Sequence, residues 1–190
     1  LVGRHPTDTR ASYVDADNIG GAREAVTHLL RLGHTRVGTI TGPQNMTAGS
    51  DRLTGYLAAL RDRGVASDST LIVEGDFTEA GGYRAMQQLL ARRPDAVFAA
   101  SDMMAIGAMR ALREAGRRVP EDVAVVGFDD LPQAARTEPP LTTVRQPVYR
   151  LGAMAVDSVL DLLEHHDSSP RRIVLPTELV VRASCGSALR

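Results

Sequence analysis

The run Val123-Ala124-Val125-Val126-Gly127-Phe128-Asp129-Asp130-Leu131-Pro132 constrains this chain more than any other stretch. A short valine-rich segment closed by glycine and acids reads as a strand buried on both faces, because a strand with one wet face would alternate with polar residues. It delivers two carboxylates to the strand's C-terminal edge. In open parallel α/β sheets, ligands bind in the crevice outside those edges. The expectation is a small-molecule sensor whose site lies along one rim of a sheet.

The remaining chain supplies neighbours for that strand. Strand-like runs lie at Leu1–Gly3, Arg36–Thr41, Thr70–Val73 and Ala96–Ala100. Between them stand helical patterns. The first is capped within Asp15–Asn18, presents Ile19, Ala22, Val26, Leu29 and Leu30 on one face, and stops at Gly33. The second takes Ser50 as its cap and carries Leu53, Tyr56, Leu57 and Leu60. A third starts at Thr78 with Tyr83, Met86, Leu89 and Leu90, and a fourth runs from Met103 to Ala115. Strand alternating with helix predicts a parallel, doubly wound sheet with helices on both faces and right-handed crossovers. Four strand ends then share one rim: Thr41-Gly42, Asp76-Phe77, Ser101-Asp102 and Asp129-Asp130.

From Gln146 the pattern changes. Pro147 starts a helix whose apolar face is Leu151, Met154, Ala155, Val159, Leu162 and Leu163, ending near His165-His166 as helix-dipole partners. Two short strands, Arg172–Leu175 and Glu178–Val181, then flank Pro176. Proline between two strands suits a chain passing from one sheet to another.

Composition narrows the functions. A chain of 190 residues makes one or two domains with a proper core. Twenty-two basic residues against 23 acids leave a net charge of -1, so no global field draws it to nucleic acid or membrane. Every basic residue is arginine, which excludes a P-loop lysine and a Schiff-base lysine. The lone Cys185 reads as a passive packing residue and fits a reducing cytosol. No stretch has the length of a membrane span, and none reads as a signal peptide, so neither a span nor a leader is expected within these residues. Because the chain opens at Leu1 inside a strand-like run, it reads as a fragment. His28, His34, His165 and His166 have no metal-ligand spacing, and no Gly-x-Ser-x-Gly, Gly-x-Gly-x-x-Gly or zinc cysteine pattern occurs. Asn45-Met46-Thr47 matches a glycosylation sequon, a pattern that arises by chance. Neither catalysis, metal nor cofactor is expected.

Among the rim residues, Asp102 and Asp130 are equally readable as caps of local structure or as ligand groups. Asp129, directly after the strand, can accept hydrogen bonds from adjacent hydroxyls, each worth roughly 1.5–3 kcal/mol when charge-assisted. Arg52 is a solvated surface residue or, turned to the rim, a pair of donors for a ligand oxygen. Phe77 is core or a platform for a sugar or base ring.

Read in order, several motifs carry a family resemblance. They are Gly33-His34, Ile40-Thr41-Gly42-Pro43, Arg52-x-x-Gly55-Tyr56, Gly75-Asp76-Phe77 and Ser101-Asp102-x-Met104-Ala105. Val119-Pro120-x-Asp122-Val123, Gly127-Phe128-Asp129-Asp130, Pro140-Leu141-Thr142-Thr143-Val144-x-Gln146-Pro147 and Leu175-Pro176-x-Glu178-Leu179 complete the series. Over nearly its whole length the chain resembles the lactose/galactose-repressor (LacI/GalR) family of bacterial transcription regulators. The resemblance implies a type I periplasmic-binding-protein-like fold with two subdomains clasping a ligand. Residues 16–146 and 174–190 would form the C-terminal subdomain, and residues 1–15 and 147–173 part of the N-terminal one. The DNA-binding helix-turn-helix head would lie outside this chain.

The same resemblance makes Arg52 and Asp129 the principal effector anchors and Phe77 a stacking aromatic. Ser101 stands where many relatives have asparagine. Asp102, Gln146 at a crossing between subdomains and Arg4 complete the implied effector set. It further implies a cytoplasmic homodimer meeting through Met103, Met104, Met109, Leu131 and Ala134, and acting on operator DNA. The effector would be a sugar, or next a purine, whose binding changes how a dimer presents its heads. A periplasmic sugar-binding protein of a transporter shares the fold and stands as the alternative.

Overall fold

The computed structural model describes residues 1–4, 11–164 and 170–187. The expectations for His165, His166 and residues 5–10 fall outside the described residues. At its centre is a four-stranded parallel sheet in the order β3-β2-β4-β5, formed by β2 (Val37–Thr41), β3 (Ile72–Glu74), β4 (Ala96–Ala99) and β5 (Ala124–Val126). The connections are helices: α2 (Thr47–Asp62), α3 (Glu79–Leu90) and α4 (Asp102–Glu114), while α1 (Asn18–Arg31) leads into β2.

Side chains alternate across the sheet and select the layers. Ala96, Phe98, Ala124 and Val126 meet Ala22, Val26, Leu29, Tyr56 and Leu60 of α1 and α2. Val97, Ala99 and Val125 meet Met86, Leu89, Met104, Ala108 and Leu112 of α3 and α4. β2 and β4 are buried along their whole length, as strands covered on both faces must be.

The helices of the second layer approach closely. A Cβ built on Gly82 would run into the backbone of Met104, and one built on Gly107 into the backbone of Glu79 and Tyr83. Glycine at these two positions therefore sets the α3–α4 spacing.

A second unit joins this body. β1 (Tyr13–Ala16) pairs in parallel with β7 (Arg172–Leu175), and α5 (Val148–Glu164) packs on them. Its buried cluster is small: Val14, Ala16, Leu151 and Leu175. β6 (Thr143–Arg145) pairs antiparallel with β8 (Glu178–Val180), and bridges from Val126 to Thr142 and from Asp129 to Arg145 lay it beside β5.

Three local expectations need correction. Leu1–Gly3 forms no strand; Val2 makes a single bridge to Val14. Ser50 does not cap α2, which begins at Thr47, its cap Met46 making no side-chain bond. Gly49 lies against the Pro43 and Gly42 backbone, so the first turn closes on backbone bonds from Gly49 and Ser50 to the Met46 carbonyl. The run from Thr70 splits into a 3-10 turn, Ser69–Leu71, and a shorter strand, because Asp68 caps the turn through the Thr70 amide. By contrast Thr78 does cap α3, its hydroxyl accepting from the Gly81 amide at 2.9 Å.

Candidate functional site

Sheet order reverses at β2, from which the chain goes first to β3 on one side and then to β4 on the other. The crevice beyond the C-terminal ends of β2 and β4 is the topological switch point, where α/β sheets bind ligands. Arg52, on α2, reaches into it.

Arg52 is only 5% exposed. Its Nε donates to Asn18 Oδ1 at 2.9 Å, and its Nη1 donates to the Ala100 carbonyl at 2.6 Å and to Asp129 Oδ1 at 3.4 Å. The guanidinium carbon stands 3.7 Å from the Phe128 ring centre and 5.9 Å from that of Phe77. Burial presses its pKa down, opposed by Asp129 and Asp15, and an arginine stays charged under such pressure. Nη2 has no hydrogen-bond partner among the described residues and is not sealed from solvent. It is a donor that no side chain or carbonyl among the described residues uses.

Asp129 sits in a turn with φ of 124°, followed by Asp130 at 58°. Its Oδ1 accepts from Gln146 Nε2 at 2.6 Å as well as from Arg52, while its Oδ2 accepts no side-chain donor among the described residues. Burial pushes the Asp129 carboxyl up, against the pull of Arg52 and Gln146. Phe77, half-buried at φ 63°, lies over Gly42, where a Cβ would collide with its ring. One donor, one acceptor and one aromatic edge therefore meet at the switch point. That is the equipment for a polyhydroxyl ligand, whose hydroxyls both donate and accept.

Other expected residues lie elsewhere. Asp102 is wholly buried, with Oδ1 accepting from the Thr143 hydroxyl at 2.5 Å and Oδ2 from the Leu131 amide at 2.8 Å. Both of its oxygens are engaged by the chain itself, which sets it apart from the open groups of Arg52 and Asp129. Ser101, 4% exposed, caps α4 by accepting from the Met104 amide at 3.2 Å. Arg4 is paired with Asp51 at 2.7 Å and makes no bond to Arg52 or Asp129.

Of the expected dimer residues, Met104, Met109 and Ala134 belong to this chain's own core, at 0%, 5% and 0% exposed. α4 is covered by the sheet on one side and α3 on the other, which leaves Met103 and Leu131 half-buried and available.

Sequence reasoning missed Asn18 and Phe128. Asn18, 3% exposed, holds Arg52 while its own amide donates to the Ala16 carbonyl at 3.1 Å and Asp15 Oδ1 at 3.2 Å. The signal was an asparagine in a capping segment whose capping is done by Asp17, which accepts from Gly20 at 2.8 Å. Phe128 reads as core in any strand, and nothing local says a guanidinium will stack on it.

Residues 26–185 match the family described as the periplasmic binding protein-like domain. The chain is 50% identical over 179 residues to the HTH-type transcriptional regulator CelR of Thermobifida fusca, covering 93% of this chain and 53% of that protein. The structure titled as a CelR–cellobiose complex superposes with a TM-score of 0.93 at 49% identity, over 96% of this chain and 57% of the other. A structure described as a LacI-family regulator of Sanguibacter keddieii gives a TM-score of 0.90 at 34% identity, covering 98% of this chain and 71% of that one. The lac repressor dimer bound to operator and an anti-inducer gives 0.87 at 33% identity, over 94% of this chain and 54% of its own. The chain spans about half the length of the curated relatives it matches. The chain belongs to the LacI family of transcriptional regulators, and its fold is that family's periplasmic-binding-protein-like domain.

Proposed function

We propose that this chain is the effector-sensing part of a transcriptional repressor that binds a sugar in the crevice at Arg52 and Asp129. The observation that carries the reading is the pair at the switch point: Arg52 Nη2 as donor, held by buried Asn18 and the Ala100 carbonyl, and the Asp129 carboxylate as acceptor, its Oδ1 taken by half-buried Gln146 and with a further bond from the Asp102 amide. Vicinal hydroxyls satisfy both at once, whereas a purine presents fixed edges that match a donor–acceptor pair only in one register. CelR, half identical in sequence, is seen in complex with cellobiose, which makes β-linked glucose disaccharides the first effectors to try.

In this reading residues 16–146 and 174–190 form one subdomain, and residues 1–15 and 147–173 contribute to a second. A separate cluster of Val14, Ala16, Leu151 and Leu175 supports two units, with Ala16 and Leu175 packing with the second unit, one or two residues beyond those bounds. Gln146 lies at the passage between them and donates to Asp129, so a ligand hydroxyl that engages Asp129 also alters a contact at the joint. Effector binding then shifts the two units relative to each other. Coupling of this kind is typically about 1–3 kcal/mol, or roughly 5–150-fold in affinity. The output is operator binding by a cytoplasmic homodimer through a head outside this chain; the lac repressor is itself seen as a dimer bound to operator. The relatives' names support a regulator over a transport receptor or an enzyme.

Calorimetric titration of the native full-length protein with cellobiose, glucose and adenosine tests the proposal. Saturable binding of a sugar that Asp129→Ala abolishes is expected. Binding of adenosine alone, or sugar binding indifferent to Asp129→Ala, would overturn it.

A further inference from the structure

We propose that Asp102, though it touches no ligand, is the positioning residue that holds the Asp129 turn in its strained shape; this rests on the effector reading above. Two consecutive non-glycine residues at φ of 124° and 58° relax unless their surroundings over-determine them. Asp102 brackets that pair. Its own amide donates to the Phe128 carbonyl at 2.7 Å, one residue before the turn. Its Oδ2 accepts from the Leu131 amide at 2.8 Å, one residue after it. Its Oδ1 accepts from Thr143, whose hydroxyl oxygen also takes the Asp130 amide at 3.4 Å. Behind them the fit is close: a Cβ on Gly127 would run into Asp102 Oδ1.

Helix capping does not account for this carboxylate, because Ser101 performs it. Nor does ion pairing, since the bonds to its oxygens come from a hydroxyl and an amide. A carboxylate buried without a cation partner is costly, and burial pushes Asp102 up to about 7, eased by Thr143 and Leu131 and aggravated by Asp129 and Asp130. The groups that face it electrostatically are those two acids and Arg52 of α2. What Asp102 supplies is a pair of acceptors at fixed positions. On the outer side of the turn, Asp130 is held by Arg182 at 2.6 Å and Arg145 at 2.7 Å, so the turn is clamped from both sides.

The test combines hydrogen exchange and ligand titration on the full-length protein. In Asp102→Leu, amide exchange in the 127–133 segment should rise about tenfold while β2 and α1 keep their protection, and affinity for cellobiose, the probe, should fall about tenfold. Asp102→Asn keeps an acceptor for Leu131 and can donate to Thr143. It should stay within about threefold of wild type in both measurements. Unchanged exchange in Asp102→Leu would overturn the proposal, as would an equal loss in Asn and Leu. Should Asp102→Leu fail to fold, Thr143→Val decides: faster exchange in 127–133 is expected, and unchanged exchange would refute it. Absence of heat from wild type with any sugar would sink the effector reading, and the exchange measurement would still decide what Asp102 holds.

Discussion

The helices of the sheet body and α5 carry the same kind of apolar spacing but come to different ends. α4 buries eight of its residues, from Asp102 through Leu112, between the sheet and α3. α5 buries Leu151 and Ser158 and leaves Val148, Tyr149 and Leu163 at 68%, 88% and 66% exposed. Periodicity says which residues share a face. It does not say how many faces will be covered, and that depends on the layers around a helix rather than on its own sequence.

The largest expected effect probes the finished core. Phe98→Ala, in the centre of the sheet, should cost about 3–5 kcal/mol in urea denaturation, whereas Leu151→Ala, in a four-residue cluster, should fall near 2 kcal/mol. Equal costs would break the distinction between the two regions.

Next comes Arg52, which belongs to both the core and the site. Arg52→Lys loses the fork to Asn18 and Ala100 and the stack on Phe128, and should cost about 2–3 kcal/mol of stability along with effector binding. Asp129→Asn should weaken sugar binding by ~10–100-fold and leave the denaturation midpoint in place. A midpoint that moves as much as in Arg52→Lys would make Asp129 structural rather than functional.

A pH measurement follows. Burial raises Asp102 to about 7, so the folded state holds its proton more tightly than the unfolded chain does. That contribution is fully present below the ordinary carboxylate value and is lost as pH rises toward about 7. Wild type minus Asp102→Asn should show stability falling between pH 5 and 7.5 by on the order of 2 kcal/mol. A flat difference would mean the carboxylate is solvated. The smallest effect belongs to α5: Val156→Gln and Leu163→Gln in this 190-residue chain should stay within ~0.5 kcal/mol of wild type, their side chains being 59% and 66% exposed.

Much of the architecture was legible because it follows from period and punctuation. Ala96–Ala99 and Ala124–Val126 are apolar runs ended by polar residues, and a doubly wound sheet sends those ends to one rim. Asp129 was legible for the same reason. Asp102 was not, since a residue one step past a cap can turn toward solvent or inward, and only Thr143, 41 residues later, decides it. Met104 and Ala134 were expected at a dimer interface from the family resemblance alone. Both are fully buried in this chain's own core, and that burial is set by packing partners distant in sequence. Asn18 and Arg52 find each other across 34 residues, a distance at which no spacing rule speaks.

The closeness of α3 and α4 has a consequence for inheritance. Every replacement of Gly82 or Gly107 adds at least a Cβ, and at both positions that carbon meets backbone of the opposite helix rather than a side chain able to swing away. No amino-acid replacement at either site is silent to the structure unless the facing helix moves as well. Because the obstacle is backbone, no second substitution on the facing helix removes it, and only a shift of the helix as a body would make room. The exposed residues of α5 carry no such constraint.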